Sequence, residues 1–211
     1  MTTEYMTDPQ GIERRSMEII APYLAPLQLT AAQTKVYERI IHSTGDPDYA
    51  KHIILHPQAI EVGINALRQG ANIFTDVQMV RVGINARKLA DFSGSTQCLI
   101  ADEAVAAEAK RLGITRSMVA MRKFGNLLDG QIVAIGNAPT ALYELLKLMD
   151  EEHIRPALIV GVPVGFVGAA ESKDALVRRS PVPYITVQGN KGGSTVAVSV
   201  CNALIYMGGG C

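Results

Sequence analysis

The stretch Ile132–Lys173, IVAIGNAPTALYELLKLMDEEHIRPALIVGVPVGFVGAAESK, decides the fold. It opens on Ile132-Val133-Ala134-Ile135, an apolar, β-branched run of the length of a buried strand. Gly136-Asn137 breaks the run, and Pro139 stands where a first helical turn tolerates it. Leu142, Leu145, Leu146 and Met149 then recur at i, i+3, i+4 and i+7, which marks one apolar face of a helix. After Pro156 a second run, Ala157-Leu158-Ile159-Val160, ends at Gly161. Strand, helix and strand with short links predict a right-handed parallel crossover. Both runs are apolar throughout, so each strand is expected to be covered on both faces. Such sheets bind ligands beyond the carboxyl ends of their strands. Here those ends are Gly136-Asn137-Ala138-Pro139-Thr140 and Gly161-Val162-Pro163-Val164-Gly165, where the site is expected.

The same alternation extends outward from this unit. Upstream, Asn72-Ile73-Phe74-Thr75 reads as a first strand, followed by Asp76 and a helix over Val77 to Ile84. Gln97-Cys98-Leu99-Ile100 reads as a second strand. Asp102 is the N-cap of a helix that runs to Gly113, and a further helix starts at Thr115. Downstream, a helix over Ser172 to Arg179 leads to a fifth strand, Tyr184-Ile185-Thr186-Val187, and a C-terminal helix over Ser194 to Met207. Three helices precede all of this: Pro9 to Leu24, one capped by Thr30 and stopped near Gly45, and Gln58 to Arg68. The expected fold is therefore α/β, a flavodoxin-like doubly wound five-stranded parallel sheet with an N-terminal helical extension. One domain over residues 1–211 is expected, with the extension over 1–70 and the core over 71–211.

Composition narrows the function classes. The 211 residues are 48% hydrophobic and 19% charged, which is globular and not disordered. Twenty basic side chains cancel twenty acidic ones, so the basic excess of a non-specific nucleic-acid binder is missing. Cys98, Cys201 and Cys211 form an odd set without a CxxC pair, which argues against a disulfide framework or a structural zinc. Met1-Thr2-Thr3-Glu4 lacks the basic head and apolar stretch of a signal peptide. The apolar region from Ala157 to Ala170 falls short of the ~20 residues a membrane span needs. A cytoplasmic protein without membrane or nucleic-acid partners is expected.

Several features suit chemistry. His42, in Arg39-Ile40-Ile41-His42-Ser43-Thr44-Gly45-Asp46, occupies the last turn of a helix, where the dipole favours a cation, and is the best candidate for proton transfer. A lone histidine is also commonly structural, so position alone leaves its role open. His52 and His56 have metal-ligand spacing on a helix, but Pro57 opposes a continuous helix there. Gly189-Asn190-Lys191-Gly192-Gly193-Ser194-Thr195 follows a strand and opens a helix, as an anion cradle or a flexible turn would, yet it lacks the G-K-[ST] ending of a Walker A loop. Arg14, Arg15 and Arg116 lie near helix starts and suit bidentate carboxylate binding. These residues point to an α/β small-molecule enzyme for an anionic ligand.

Taken in order, a series of segments resembles the precorrin-8 and cobalt-precorrin-8 methylmutases of cobalamin biosynthesis. They are Ile12-Glu13-Arg14-Arg15-Ser16, Arg39 to Asp46, Thr75-Asp76-Val77-Gln78-Met79-Val80, Thr115-Arg116-Ser117, Ile135 to Ala141, Gly161 to Val167, Ala170-Glu171-Ser172-Lys173 and Gly192-Gly193-Ser194. The resemblance implies an isomerase that moves a methyl group from carbon 11 to carbon 12 of a corrin-type ring, with His42 as the general acid that protonates ring C. It implies substrate binding by Arg14, Arg15, Ser16, Thr75, Asp76, Arg116, Asn137, Pro139, Thr140, Gly165, Glu171, Ser172 and Lys173, with no metal ligand and no cofactor. It also implies a tetrapyrrole (corrinoid) substrate and a homodimer with shared sites. A flavodoxin-like carrier or sensor that binds a tetrapyrrole without turnover would need the same carboxylate contacts but no acid at His42. A phosphate-ester enzyme built on Gly189 to Thr195 would need a pair of metal-binding carboxylates that the sequence does not offer.

Overall fold

The computed structural model describes residues 5–209; Met1–Glu4, Gly210 and Cys211, and the readings that fell on them, lie outside the described residues. In chain order the elements are α1 (Pro9–Leu24), α2 (Ala31–Thr44), β1 (Ile53–Leu55), α3 (Ala59–Arg68), β2 (Ile73–Thr75), α4 (Gln78–Gly83), α5 (Ala86–Ala90) and β3 (Thr96–Gln97). They continue as α6 (Glu103–Leu112), α7 (Arg116–Phe124), β4 (Ile132–Ile135), α8 (Pro139–Glu151), β5 (Leu158–Gly161), α9 (Ala169–Arg179), β6 (Tyr184–Val187) and α10 (Ser194–Gly208).

The helix boundaries follow from local chemistry. Asp8 accepts from the Gly11 N–H and Pro9 occupies the first turn of α1. Thr30 and Gln33 form a reciprocal capping box at the start of α2, and Gly45, at φ 65°, closes it in the left-handed region. Asp102 and Thr115 cap α6 and α7 through side-chain oxygens. Helix α9 starts at Ala169, three residues before the expected Ser172, because Gly168 at φ 79° turns the chain into it.

The sheet is six-stranded and mixed, in the order β1-β6-β5-β4-β2-β3, and not the five-stranded parallel sheet expected. The extra strand, Ile53–Leu55, pairs antiparallel with β6 at the edge, so the first 70 residues are not helical throughout. Three residues flanked by His52 and His56 are too few to show alternation in the sequence, and their pairing to β6 is what makes them a strand. This strand also separates His52 and His56 along an extended chain, which removes the single-helix metal arrangement. The expected second strand shrinks to Thr96–Gln97, paired with Ile73 and Phe74 of β2. The apolar residues after it serve packing instead: Leu99 fills space beside helices α6 and α7.

Alternation within the strands sorts side chains onto two faces. Ile132, Ala134, Leu158, Val160, Ile185 and Val187 face a cluster completed by α2, α3 and α10. Val133, Ile135, Phe74 and Ile159 face the other cluster, completed by α7, α8 and α9. Leu142, Leu145 and Ile135 are 0% exposed, and full burial of such a side chain contributes roughly 1.5–3 kcal/mol. On this second face Glu144, 3% exposed, takes a two-pronged ion pair from Arg122 at 2.6 and 3.2 Å, which joins α7 to α8.

Close packing makes Gly161 a test of this arrangement. A Cβ there would sit 2.6 Å from Leu176 Cδ2 on α9. Gly161→Ala is therefore expected to cost about 1–3 kcal/mol in urea unfolding through forced repacking of Leu176. A second change, Leu176→Ala, should return part of that loss when combined with it.

Candidate active site

Because β2, β4, β5 and β6 run parallel, their carboxyl ends open on one edge of the sheet. Asp76, the residue after β2, is 0% exposed and knits this edge together. Its Oδ1 accepts the Gly136 N–H at 3.0 Å, and its Oδ2 accepts the N–H groups of Asn137 and Ala138 at 2.9 and 2.7 Å. Burial pushes this carboxyl upward, and the three donors oppose that shift. Three N–H groups need acceptor lone pairs, which the carboxylate form supplies in full.

The neighbouring loops pack backbone against backbone. A Cβ on Gly136 would lie 2.8 Å from Ser194 Cα, so the first turn of α10 abuts the end of β4. A Cβ on Gly192 would lie 2.4 Å from the Val162 carbonyl oxygen, and Gly192 has φ 151°, which favours glycine. The Gly193 N–H donates to Val162 O at 2.9 Å and the Gly165 N–H to Asn190 O at 3.3 Å. The loops after β5 and β6 thus form one wall of the mouth.

The end of α2 borders this wall. Ser199 of α10 donates its hydroxyl to Ser43 Oγ at 2.7 Å, beside His42, which is exposed in the last helical turn. Just past the helix, Asp46 and Asp48 form ion pairs with Lys191 from the loop after β6, Asp48 at 3.1 Å. Its ammonium also lies 5.1 Å from the Tyr49 ring centroid. The Tyr49 hydroxyl accepts the Gly192 N–H at 3.1 Å and donates to the Gly192 carbonyl at 3.3 Å. The hydrogen bond from Lys191 lowers the Asp46 carboxyl, while Lys51, Lys191 and His52 hold Asp48 down at about 2. Asp46, in turn, raises Lys191.

The residues singled out in the sequence fall into three groups. His42, Asn137, Glu171 and Arg116 are exposed, with Pro139, Thr140 and Gly165 half-buried. Thr140 Oγ1 lies 2.9 Å from Thr115 Oγ1, which brings the start of α7, and Arg116 with it, to the first turn of α8. A second group lies inside the wall: Thr75 donates to Gln97 O at 3.0 Å, Ser172 to Ala169 O at 3.0 Å, and Lys173, 1% exposed, to Lys191 O at 2.5 Å. Burial lowers Lys173 to about 8. The third group is on α1, where Arg15 pairs with Glu18 at 2.8 Å and Ser16 bonds Ile12 O. Arg14 is exposed on the same helix. Helix α1 packs along α2, and Glu13 lies 3.6 Å from Arg39, but among the described residues no polar contact joins Arg14, Arg15 or Ser16 to the strand ends.

Sequence reasoning put Lys191 in a candidate anion cradle and Asp46 in a family segment without giving either a role, and did not single out Asp48 or Tyr49. A lone lysine inside a glycine run, and two aspartates directly after a helix-ending glycine, were the available signals. Their meeting spans 145 positions, a separation no local pattern reports. A cleft of about 320 Å³ lined by Lys35, Arg39, Ala203, Tyr206 and Met207 lies elsewhere, between α2 and α10. Among the described residues no helix is long and apolar enough to cross a membrane.

Parallel strand ends walled by glycine backbone, with a histidine, carboxylates and cations at their border, are where an α/β sheet of this kind holds a ligand. The precorrin-8X methylmutase family profile matches residues 11–207. The chain is 46% identical over 196 residues to a cobalt-precorrin-8 methylmutase of Priestia megaterium, covering 93% of this chain and 87% of that protein. It is 41% identical to a precorrin-8X methylmutase of Pseudomonas aeruginosa, covering 95% and 97% respectively. The crystal structure of a precorrin-8X methylmutase from Thermus thermophilus superposes with a TM-score of 0.85 at 36% identity, over 94% of this chain and 97% of that one. The chain belongs to the precorrin-8X methylmutase family, and it is an enzyme.

The role of Asp76 is open to direct measurement. Asp76→Asn would place an NH₂ group against backbone donors, and Asp76→Ala would leave three N–H groups without an acceptor. Each is expected to cost at least about 1–3 kcal/mol in urea unfolding at neutral pH, with alanine the worse of the two. Wild-type stability in both would remove Asp76 as the tie between β2 and β4.

Proposed function

We propose that this enzyme moves a methyl group from carbon 11 to carbon 12 of precorrin-8 or cobalt-precorrin-8, giving hydrogenobyrinic or cobyrinic acid in cobalamin biosynthesis, in the cytoplasm. Membership of the family supports the substrate class and the rearrangement. The observation that carries the mechanism is the exposed His42 at the α2 terminus, beside the wall formed by the loops after β5 and β6. In the reaction the carbon 11–methyl bond breaks as the carbon 12–methyl bond forms. Substrate and product are isomers, so a proton lent to ring C by His42 must leave the product again. The protein's tasks are then to orient the ring, keep its reacting edge near one acid and exclude competing protonation.

The exposed members of the mouth are suited to the substrate's peripheral carboxylates. Arg116 at the start of α7 offers a fork of donors, Asn137 offers a neutral amide, and the half-buried Thr140 adds a hydroxyl beside them. Arg14 and Arg15 on α1 are assigned to carboxylates farther out, at the rim or across an interface. The order of the parallel strands, 2-1-3-4-5 when they are numbered alone, supports a flavodoxin-like reading of the core.

Two further proposals concern His42 and assembly. His42→Ala is expected to abolish rearrangement, followed by the absorption change of the macrocycle, while product affinity stays within about tenfold, roughly 1.4 kcal/mol. A variant that turns over at the wild-type rate would dismiss His42 as the acid.

The enzyme is further proposed to act as a homodimer with shared sites. Phe166 and Val167 at the mouth are each 90% exposed, and Met79 and Val82 on α4 are each 70% exposed, an apolar surface that a second copy would cover. The interface is expected to exceed ~2,000 Å² in total. Light scattering should give twice the chain mass at assay concentration; a fully active monomer would refute it.

A further inference from the structure

We infer that Lys191 is a positioning residue for His42, held from both ends so that the glycine loop after β6 and the terminus of α2 move as one body. This rests on the reading of His42 as the acid. The need for such a tie follows from the loop itself. Gly189, Gly192 and Gly193 have φ of 69°, 151° and 121°, which glycine adopts readily, so three positions of the loop carry no side chain to fix it toward the α2 terminus. Lys191 sits between them and is fastened on two sides.

The first fastening is the backbone carbonyl of Lys191, which accepts from Lys173 Nζ on α9. Lys173 is 1% exposed, and no carboxylate pairs with it among the ion pairs of the described residues. Burying a cation against a single carbonyl is costly, and an apolar side chain would fill that space without the cost. What the ammonium adds is a fixed position for one peptide group. The second fastening is the Lys191 side chain, which reaches Asp46 and Asp48 and lies over the Tyr49 ring. Gly192 adds its N–H and carbonyl to the Tyr49 hydroxyl. Residues 46–49 follow Gly45, which ends the helix whose last turn carries His42. A displacement of the loop is thus transmitted to the helix end through two ion pairs and a tyrosine. Proton transfer tolerates little error in distance, so loosening this body affects the chemical step more than binding.

The contrary role for Lys191 is direct contact with a substrate carboxylate, and the two roles differ in what they change. Lys191→Met is expected to lower kcat for precorrin-8 rearrangement about ten- to hundredfold while the Kd for the product acid changes less than about threefold. Lys191→Arg, which keeps the charge on Asp46 and Asp48, should recover most of the rate. In protein carrying ¹³C-labelled histidine, the His42 ring resonance, identified by its loss in His42→Ala, should shift or broaden in Lys191→Met and return in Lys191→Arg. A Kd that rises in parallel with the loss of rate would overturn the inference in favour of substrate contact. An unmoved His42 resonance would overturn it whatever the activity. Full activity of His42→Ala would instead reject the acid assignment, and the resonance would still decide whether the tie exists.

Discussion

A single buried carboxylate sets the geometry on which the mouth depends. Asp76 leaves the end of β2 and accepts the N–H groups of Gly136, Asn137 and Ala138, which follow β4. The turn into α8 therefore takes its shape from a neighbouring strand and not from its own residues. Ala138, at the N-cap, has no side-chain oxygen to offer, so the acceptor has to come from elsewhere. A negative charge near this helix start also suits the α8 dipole. With the turn fixed, Gly136 can present bare backbone to Ser194, so the end of β4 meets the first turn of α10.

The rest of the wall obeys the same economy of side chains. Where Gly192 crosses the Val162 carbonyl there is no room for a methyl group, and the loops after β5 and β6 join by main-chain bonds. The side chains proposed to act are consequently delivered from helix ends: His42 from the close of α2, Arg116 from the opening of α7, Pro139 and Thr140 from the opening of α8. The carboxylates of Asp46 and Asp48 at this border would repel a polyanionic substrate if they stood alone. Lys191 and Lys51 offset them, and hydrogen bonds from Lys51, Lys191 and His52 hold the Asp48 carboxyl down at about 2. For the carboxylate-rich substrate proposed here, that neutralisation removes a barrier without adding a competing cation.

Much of this fold can be read from the sequence wherever a local pattern carries the information. The runs Ile132–Ile135 and Tyr184–Val187 are strands over those same residues, and Leu142, Leu145, Leu146 and Met149 are buried on one face of α8 as their spacing predicts. Thr30, Asp102 and Gly45 mark helix ends because capping is a matter of neighbouring residues. Ile53–Leu55 escaped because a three-residue edge strand is defined by its partner. Cys98 to Ile100 misled because an apolar run signals burial and not pairing. The site shows the same division. The helix-end position of His42 was legible in the sequence, whereas Lys173 and Lys191 acquire their environment from elements 18 to 145 residues away.

Two kinds of charge hold the mouth together, and they respond differently to solvent. Asp76 and Lys173 are both buried and both bind backbone groups, donor to carboxylate in one case and ammonium to carbonyl in the other. Little salt reaches such bonds, so the inner wall keeps its shape across ionic strengths. The pairs of Lys191 with Asp46 and Asp48 lie at the surface, where side chains are 35% to 42% exposed and screening is effective. Their strength as a tie therefore comes from number and from coupling to a buried anchor, since the same residue that carries the ammonium has its carbonyl held by Lys173. The outer tie thus depends on ionic strength while the anchor beneath it does not, and the end of the helix bearing His42 is held through both.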